Sequence, residues 1–495
     1  MRRLLALLTV CLPLAAAPAA EAITLTPLGR TPALGETRAE IAAFDPTTQR
    51  VFATNAGDNR LDIYDLSDPS APALIESVDL SPFGGGPNSV DVSRKGLVAV
   101  AVEANDLTAT GSVEFFDTDG EHLGSIPAGA LPDMLTFAQH DKYLLVANEG
   151  EAESGDDDPK GSVTVIRLNK KLDKATVRTA TFDGVPTLGP VRVACADATF
   201  AEDAEPEYIA EGPLGTALVT LQENNAVGVL SIPLGRFVAV RGLGFKDHGL
   251  ARNALDPSDR DNAIAINPWA NVFGMYQPDA IAAYTHRGVP YFVTANEGDA
   301  REREGCEEET RVSAVSLDAG SFPEGVQAND KLGRLNVTST MGDIDGDGDF
   351  DRLFPFGGRS MSILGPLGGL VFDTGSELER IAAAEEPSIF NASNEEPAIF
   401  DDRSDSKGPE PEGVDVGSVG RETYAFLASE RQGGLYAYKL NGPRASFADY
   451  VNTRPADLGP EGVRFVPKGD SPTGRALLLV TNEITGTVAA IDVRP

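Results

Sequence analysis

Apolar and polar residues alternate in short runs along most of this chain, which is the pattern of half-buried β-strands. The runs RLDIYDL, GSVEFFDT, GSVTVIRL and GTVAAIDV show the alternation most clearly. Glycine and proline, with 51 and 34 residues, separate the runs and indicate many tight turns. The pattern predicts an all-β protein made of short strands.

One unit recurs seven times along the chain. It opens with an acidic or amide residue, often after proline, and continues as an apolar strand, a turn and a second apolar strand that ends in Asn or Glu. The opening residues are Glu40, Asn88, Asp133, Glu207, Asp279, Glu412 and Glu461. The matching strand ends are Asn55, Glu103, Glu149, Glu223, Glu297, Glu430 and Glu483, which follow 15 to 22 residues later. This spacing fits two short strands and a hairpin.

A third and a fourth strand follow in each unit, which predicts a seven-bladed β-propeller with four antiparallel strands per blade. The seventh unit stops after its third strand, and the segment ITLTPLGRT near the N-terminus can supply its missing strand. That pairing would remove the exposed sheet edges. An insertion at about 299–356 interrupts the fifth unit. The alternative of two stacked β-sandwiches fits the single repeat phase poorly.

The N-terminus has the pattern of a signal peptide. Arg2 and Arg3 precede an apolar run, and a small-residue site predicts cleavage after Ala22. The run is shorter than the roughly 18 residues of a membrane anchor, and no later segment could span a membrane. We therefore expect a signal peptide at 1–22 and a periplasmic or secreted single domain at 23–495, present as a monomer.

Two cysteines, Cys195 and Cys306, remain after this cleavage. An even, sparse count in an oxidising compartment predicts one disulfide, with two unpaired thiols as the alternative.

The chain is strongly acidic, with 75 Asp and Glu against 41 Lys and Arg and a net charge of −34. Nucleic acids and anionic membranes are bound through clustered basic residues, so the charge argues against both as bulk partners. Only four histidines are present, which argues against a multi-histidine metal enzyme. P-loop, dinucleotide and serine-hydrolase motifs are also missing from the sequence.

Several long motifs resemble one known family. The segments LPDMLTFAQHDKYLLVANEGE, YQPDAIAAYTHRGVPYFVTANEGDAR, GDIDGDGDFDRLFPFGGRSMSI and DDRSDSKGPEPEGVDVG look like the bacterial choice-of-anchor I proteins. That group is similar to mesenchyme-specific cell-surface glycoproteins linked to biomineralisation, and some relatives are described as alkaline phosphatases. The resemblance implies an exported propeller and raises phosphatase activity as an expectation.

Propeller geometry predicts that both acidic series converge. Inner strands begin at one mouth of the central channel, and the antiparallel second strands end there. Twelve carboxylates so close together need compensating cations or water, and an all-oxygen site favours Ca²⁺, with Mg²⁺ also compatible. A solvated acidic rim is the alternative. The predicted metal ligands at this mouth are Asp133, Glu149, Asp279, Glu297, Glu412, Glu430, Glu461 and Glu483.

A second candidate cation site is an aspartate-rich loop. Carboxylates at every second position can surround one hard cation where glycines permit a tight turn, although the bidentate glutamate of an EF-hand is missing. A merely acidic, flexible loop is the alternative. The predicted ligands are Asp343, Asp345, Asp347, Asp349 and Asp351.

Cationic residues next to these motifs suggest an enzyme. Guanidinium groups and metal suit a bound phosphate, so the sequence predicts hydrolysis of a small phosphate ester by metal-activated water. The alternatives are that each cation pairs with a neighbouring carboxylate and that the protein is a non-catalytic calcium-binding scaffold. His248 is a weaker candidate for a general acid. The predicted catalytic residues are Glu149, Glu297, Arg301, Arg359, Arg403, Lys407, Glu430 and Arg431.

Overall fold

The computed structural model describes residues 23–33, 39–151, 159–195, 198–303 and 305–495. Its body is a ring of seven antiparallel sheets, so the predicted seven-bladed β-propeller is confirmed. The predicted signal peptide at 1–22 lies outside the described residues. Among the described helices, none has the length and apolar character needed to cross a membrane.

Each blade has an inner, a second, a third and an outer strand. The inner strands of blades 1 to 7 are Ala42–Asp45, Pro87–Val92, Pro132–Ala138, Pro206–Glu211, Ile281–His286, Pro411–Val419 and Pro460–Val466. The second strands are Arg50–Asn55, Val98–Val102, Tyr143–Asn148, Thr216–Leu221, Val289–Asn296, Glu422–Ser429 and Ala476–Asn482. The third strands are Arg60–Asp65, Thr110–Phe116, Ser162–Arg167, Ala226–Ser231, Ser360–Leu364, Leu435–Leu440 and Thr487–Arg494. The outer strands are Ala73–Asp79, His122–Ala130, Thr176–Ala180, Arg236–Gly242, Leu370–Asp373, Ala445–Val451 and, for blade 7, Thr24–Arg30.

The hydrophobic core is divided among the seven interfaces between neighbouring blades. Every residue of the second strand of blade 2, Val98–Val102, is buried, whereas the outer strand Ala73–Asp79 is mostly exposed. Phe115 of blade 2 packs with Leu144 and Ile166 of blade 3 in one of these clusters. Each sheet is covered on both faces, so its middle strands are continuously apolar rather than alternating.

The N-terminal strand closes the ring as predicted. Its residues pair antiparallel with the last strand of the chain, from Thr24 opposite Arg494 to Arg30 opposite Ala489. Arg30 also forms an ion pair at 2.9 Å with Asp457, which lies in the connection that leads into blade 7. The closure gives blade 7 its fourth strand.

Long connections form a cap on the face where inner strands begin. They are the connections 181–205, 243–280, 297–359 and 374–410 around blades 3 to 6, and their described part omits residues 196, 197 and 304. The cap contains the helices Phe200–Asp203 and Glu377–Glu385 and the strand pairs Phe245–Asp247 with Phe273–Met275, Glu302–Arg303 with Cys306–Glu307, and Glu309–Arg311 with Asn336–Thr338. Blade 4 gains a fifth, parallel strand, Thr187–Leu188. In the described part of the chain, the 3₁₀ turns are Leu172–Lys174, Pro213–Gly215, Ala251–Asn253, Val312–Ala314, Leu332–Arg334 and Pro387–Ile389.

The cap has an apolar core of its own. Val272 comes from the 243–280 connection, and Val312, Leu335, Val337 and Leu353 come from the 297–359 connection. All five side chains are fully buried. The insertion in blade 5 is therefore a folded element that can position side chains over the mouth.

The predicted disulfide between Cys195 and Cys306 is confirmed. It links the 181–205 connection to the 297–359 connection across 111 residues of sequence. Buried ion pairs lie beside it, one between Arg192 and Glu308 and one that involves Arg301. The covalent bond and the ion pairs together fix two cap segments against each other.

Candidate metal centre at the propeller mouth

A backbone irregularity places the first acidic series at the mouth. In five blades the pairing between the inner and second strands shifts immediately after the proline that opens the inner strand. Such a bulge twists the strand and redirects its side chains. The residues that lie in these bulges are Asn88, Asp133, Glu207, Glu412 and Glu461.

The second acidic series lies at the ends of the second strands, but in two blades the structure differs from the repeat unit that the sequence predicts. Strand pairing places Glu149 directly after the second strand of blade 3, next to the opening of the inner strand. Asn55 is instead the last residue within its strand, and its amide donates a hydrogen bond to Asp62 inside blade 1 at 3.0 Å. In blade 4, Gln222 follows the strand directly and Glu223 comes one residue later.

Nine of the carboxylic acids at the mouth have raised pKa values. Loss of hydration is the main cause in each case, and repulsion between neighbouring carboxylates adds to it. The pKa of Asp133 is raised to about 7 and that of Glu223 to about 8. The pKa of Glu430 is also raised to about 8, and that of Glu297 is raised. The pKa lies well above its usual range for Glu149, Glu207, Asp279, Glu412 and Glu461.

Two groups of three carboxylates at the mouth are close enough to hold a cation. Asp279, Glu297 and Glu412 each present an oxygen, and these oxygens lie within 4.8 Å of one another. We call this group the first triad. Glu297, Glu410 and Glu430 form a second triad by the same measure. Glu297 therefore belongs to both.

The second triad is neutralised by basic side chains of the cap and of blade 6. Arg403 donates to Glu410 at 2.6 Å, and Arg431 lies 3.3 Å from Glu410 and 2.8 Å from Glu430. Burial alone would raise the pKa of Glu410, but Lys407 and Arg403 bring that pKa below its usual value. The local charge of this triad is thus balanced by the protein itself.

The first triad is compensated far less. Lys407 contacts Glu297 at 3.1 Å, but among the described residues no Lys or Arg lies within 4.0 Å of Asp279 or Glu412. The Oε2 atom of Glu412 is buried and has no hydrogen-bond partner among the described residues. Of the two triads, the first therefore lacks a basic partner at two of its three carboxylates.

Arg301 lies at the edge of the mouth, buried against the cap. It forms an ion pair with Glu205 and donates to the carbonyl of Asp203 at 2.7 Å. Its positive charge also lowers the pKa of Glu149, against the larger effect of burial. Arg301 is thus held in place by acidic partners.

Arg359 lies within the cap. Its guanidinium donates to Glu379 at 2.9 Å and to the carbonyls of Asp256, Ser404 and Ser406 at 2.8 Å each. The side chain is only 3% exposed. These contacts fix the loop that carries Lys407, so Arg359 helps to position the site without lying at the mouth itself.

His248 and its neighbour Lys246 are also buried in the cap. The His248 ring bonds through Nδ1 to the carbonyl of Asn253 at 2.6 Å, and burial moves its pKa well below the usual range. Lys246 donates to two carbonyls and contacts Asp373 at 3.2 Å. These hydrogen bonds and this ion pair hold segments of the cap together.

The aspartate-rich loop brings three of its five carboxylates together. Oxygens of Asp343, Asp345 and Asp351 lie within 4.8 Å of one another, whereas Asp347 and Asp349 are outside this group. Asp343 also accepts hydrogen bonds from three backbone N–H groups of the loop. The loop is exposed, so its side chains are solvated.

The central channel below the mouth contains a cavity of about 280 Å³. Inner strands of all seven blades line it, and Tyr208 contributes from blade 4. Arg464 of blade 7 reaches Asp91 of blade 2 at 3.4 Å across this channel. The cavity is separate from the two triads.

The structure adds Glu410 and Gln222 to the predicted residues. Glu410 is completely buried beneath three cations, and Gln222 donates to Glu297 at 2.9 Å. Glu410 lies two residues before Glu412 in the motif GPEPEG, so its place near the mouth could have been predicted from this motif. Gln222 is an amide in an acidic series, and only the strand register identifies it.

Known proteins share this fold and parts of this sequence. Gigasin-3a of Magallana gigas is 31% identical over 191 residues, which cover 34% of this chain and 67% of that protein. The structure of hydrazine synthase from Kuenenia stuttgartiensis is similar with a TM-score of 0.50 and 12% identity, over 93% of this chain and 97% of the other. That likeness concerns the propeller fold alone. The model of the choice-of-anchor I domain matches residues 40–443. Because this match spans most of the propeller, the chain belongs to the choice-of-anchor I family.

Proposed function

We propose that this protein is an exported propeller that binds a divalent cation, Ca²⁺, at its acidic mouth. Asp279, Glu297 and Glu412 would hold the ion. The observation that carries the proposal is the close approach of three carboxylates, of which Asp279 and Glu297 are buried and Glu412 is half-buried. Among the described residues, no Lys or Arg lies within 4.0 Å of Asp279 or Glu412. Ca²⁺ would supply the positive charge that balances them.

The residues fit such an ion in two respects. The ammonium group of Lys407 already lies within 3.1 to 3.7 Å of three carboxylate groups, which identifies a position where positive charge is stable. The unpartnered oxygen of Glu412 is an available ligand atom. An all-oxygen donor set of irregular geometry suits Ca²⁺ better than Mg²⁺, which demands near-ideal octahedral geometry.

The exposed loop at 343–351 is a proposed second cation site. Asp343, Asp345 and Asp351 would be its ligands. Mutual repulsion with Asp347 is the largest cause of the raised pKa of Asp345, and a bound cation would relieve it. Because the loop is solvated, we expect weaker binding here than at the buried mouth.

A metal-dependent phosphatase or phosphodiesterase acting on a small phosphate ester is the second candidate. Glu430 favours it, because burial raises the pKa of this carboxyl group to about 8, which is close to the range that suits a general acid at neutral pH. However, each predicted phosphate-binding cation contacts a carboxylate. The pairs are Arg301 with Glu205, Arg359 with Glu379, Arg403 with Glu410, Lys407 with Glu297, and Arg431 with Glu430. This pairing favours a binding role.

Calorimetric titration of the chelator-treated protein with Ca²⁺ at pH 8.5 tests the proposal, since protons compete less at that pH. We expect Glu412→Gln to weaken binding at the mouth by about tenfold or more, because it removes a charged ligand. Glu76→Gln removes the same charge from an exposed position on the outer strand of blade 1 and serves as the matched control. Equal affinities of the two variants would contradict the proposal.

The same samples distinguish the two candidate functions. Hydrolysis of p-nitrophenyl phosphate and bis-p-nitrophenyl phosphate would be followed with Ca²⁺ and with chelator. Ca²⁺ binding without hydrolysis is the expected result for a binding protein. Ca²⁺-dependent hydrolysis that Glu412→Gln abolishes would establish the enzyme instead.

A further inference from the structure

We infer that Lys407 is a tethered cation that competes with the divalent ion for Glu297 and thereby limits the affinity of the mouth. The inference rests on the proposed function for the presence of the ion. It gives Lys407 a role opposite to that of a ligand or a substrate-binding group, because its removal should strengthen cation binding.

The position of the ammonium group supports this role. Nζ of Lys407 lies 3.1 Å from Glu297, 3.3 Å from Asp299 and 3.7 Å from Glu410. Its side chain is only 14% exposed, so water screens its charge weakly. Glu297 is also a member of the first triad. An ion on that triad must therefore share a carboxylate with a buried positive charge.

The loop that carries Lys407 is fixed, so the ammonium group cannot easily withdraw. Arg359 donates to the carbonyls of Ser404 and Ser406 at 2.8 Å each. Gly408 has a φ of 66°, and a Cβ atom there would come within 2.9 Å of the Arg359 side chain. Because a side chain at that position would be strained and crowded, glycine allows the close contact that holds the loop.

Competition of this kind makes the mouth select cations by their charge, in favour of divalent over monovalent ions. A monovalent cation brings no more charge than Lys407 already supplies at Glu297. A divalent cation gains twice the attraction of the three carboxylates and can bind despite the repulsion from the ammonium group. We therefore expect Lys407 to prevent the binding of Na⁺ and K⁺ at the first triad. We also expect it to make Ca²⁺ binding weaker than it would be without this positive charge.

Calorimetric Ca²⁺ titration of Lys407→Gln, Lys407→Arg and the parent protein at pH 8.5 tests the inference. We expect Lys407→Gln to bind Ca²⁺ about tenfold more tightly or better, since a unit charge a few ångströms from a divalent ion is removed. Lys407→Arg keeps the charge and should bind as the parent does. The arginine variant also shows that substitution at this position allows folding.

Arg403→Gln separates direct competition from the general effect of charge. It removes one positive charge from the same loop, and Arg403 contacts Glu410 but not the first triad. We expect its affinity to rise less than that of Lys407→Gln. A Lys407→Gln protein that binds Ca²⁺ no more tightly than the parent, or only as tightly as Arg403→Gln, would overturn the inference. Failure of the parent protein to bind any Ca²⁺ would instead refute the proposed function.

Discussion

Glu223 should make the metal-free protein less stable as the pH rises. Its side chain is 7% exposed, and its Oε2 atom has no hydrogen-bond partner among the described residues. Burial, with the charge of Asp299 as a smaller cause, raises its pKa from 4.5 to about 8. The folded state thus keeps the proton between pH 4.5 and about 8, whereas the unfolded state loses it. Stability must fall as the pH rises through this window.

The expected size of the effect follows from the pKa difference. At about 1.36 kcal/mol per pH unit, the difference corresponds to roughly 5 kcal/mol of unfolding free energy. Glu223→Gln resembles the protonated acid and cannot ionise. We therefore expect the variant to match the parent near pH 5 and to exceed it in stability by several kcal/mol at pH 9.

Urea unfolding in chelator, followed by far-ultraviolet circular dichroism at pH 5, 7 and 9, measures this difference. Glu76→Gln, on the exposed outer strand of blade 1, controls for the general loss of one negative charge. An advantage of Glu223→Gln that is the same at pH 5 and pH 9 would refute the reasoning. A decrease of the advantage with pH would refute it as well.

Three further predictions concern the framework. Cys195→Ser should lower the unfolding free energy by about 5 kcal/mol, since the disulfide closes a loop of roughly a hundred residues, and a non-reduced digest of the parent should yield the linked peptides. Phe115→Ala, in the core between blades 2 and 3, should cost about 3 to 5 kcal/mol in urea unfolding, whereas Phe447→Ala on an exposed outer strand should cost much less. Deletion of residues 23–30 should expose the edge of blade 7 and produce concentration-dependent aggregation in light scattering, and a monomeric, equally stable protein would contradict this.

The ring of blades could be predicted because each blade repeats the same short-range pattern. Apolar alternation, the spacing from Asp133 to Glu149, and the incomplete seventh unit together define strand order and closure. Antiparallel pairing then implies that strand starts and strand ends meet at one mouth. Convergence of acidic side chains follows from this geometry alone.

The detailed chemistry of the mouth depends on contacts that no local pattern records. A shift of one residue takes Asn55 into its blade, where it bonds to Asp62, and places Gln222 where an acid was expected. The pairing of Arg359 with Glu379 joins segments that follow different blade-5 strands, and nothing in either segment specifies the other. The strands of the cap are two or three residues long, and long-range packing around residues such as Val312 holds them together.

Closure by the first strand has a consequence for the order of events during folding. Residues 24–30 must wait for residues 489–494, which are synthesised last, before their backbone groups are paired. Bringing these two ends together costs about 5 kcal/mol of chain entropy by the loop-closure relation. Until then, the sheets of blades 1 to 6 can form completely, while the strand Thr24–Arg30 and the outer edge of Thr487–Arg494 remain unpaired. The pairing of the first and last strands completes the ring. The longer the ring stays open, the more chance the N-terminal strand has to pair with blade 7 of another chain, which would give a domain-swapped oligomer.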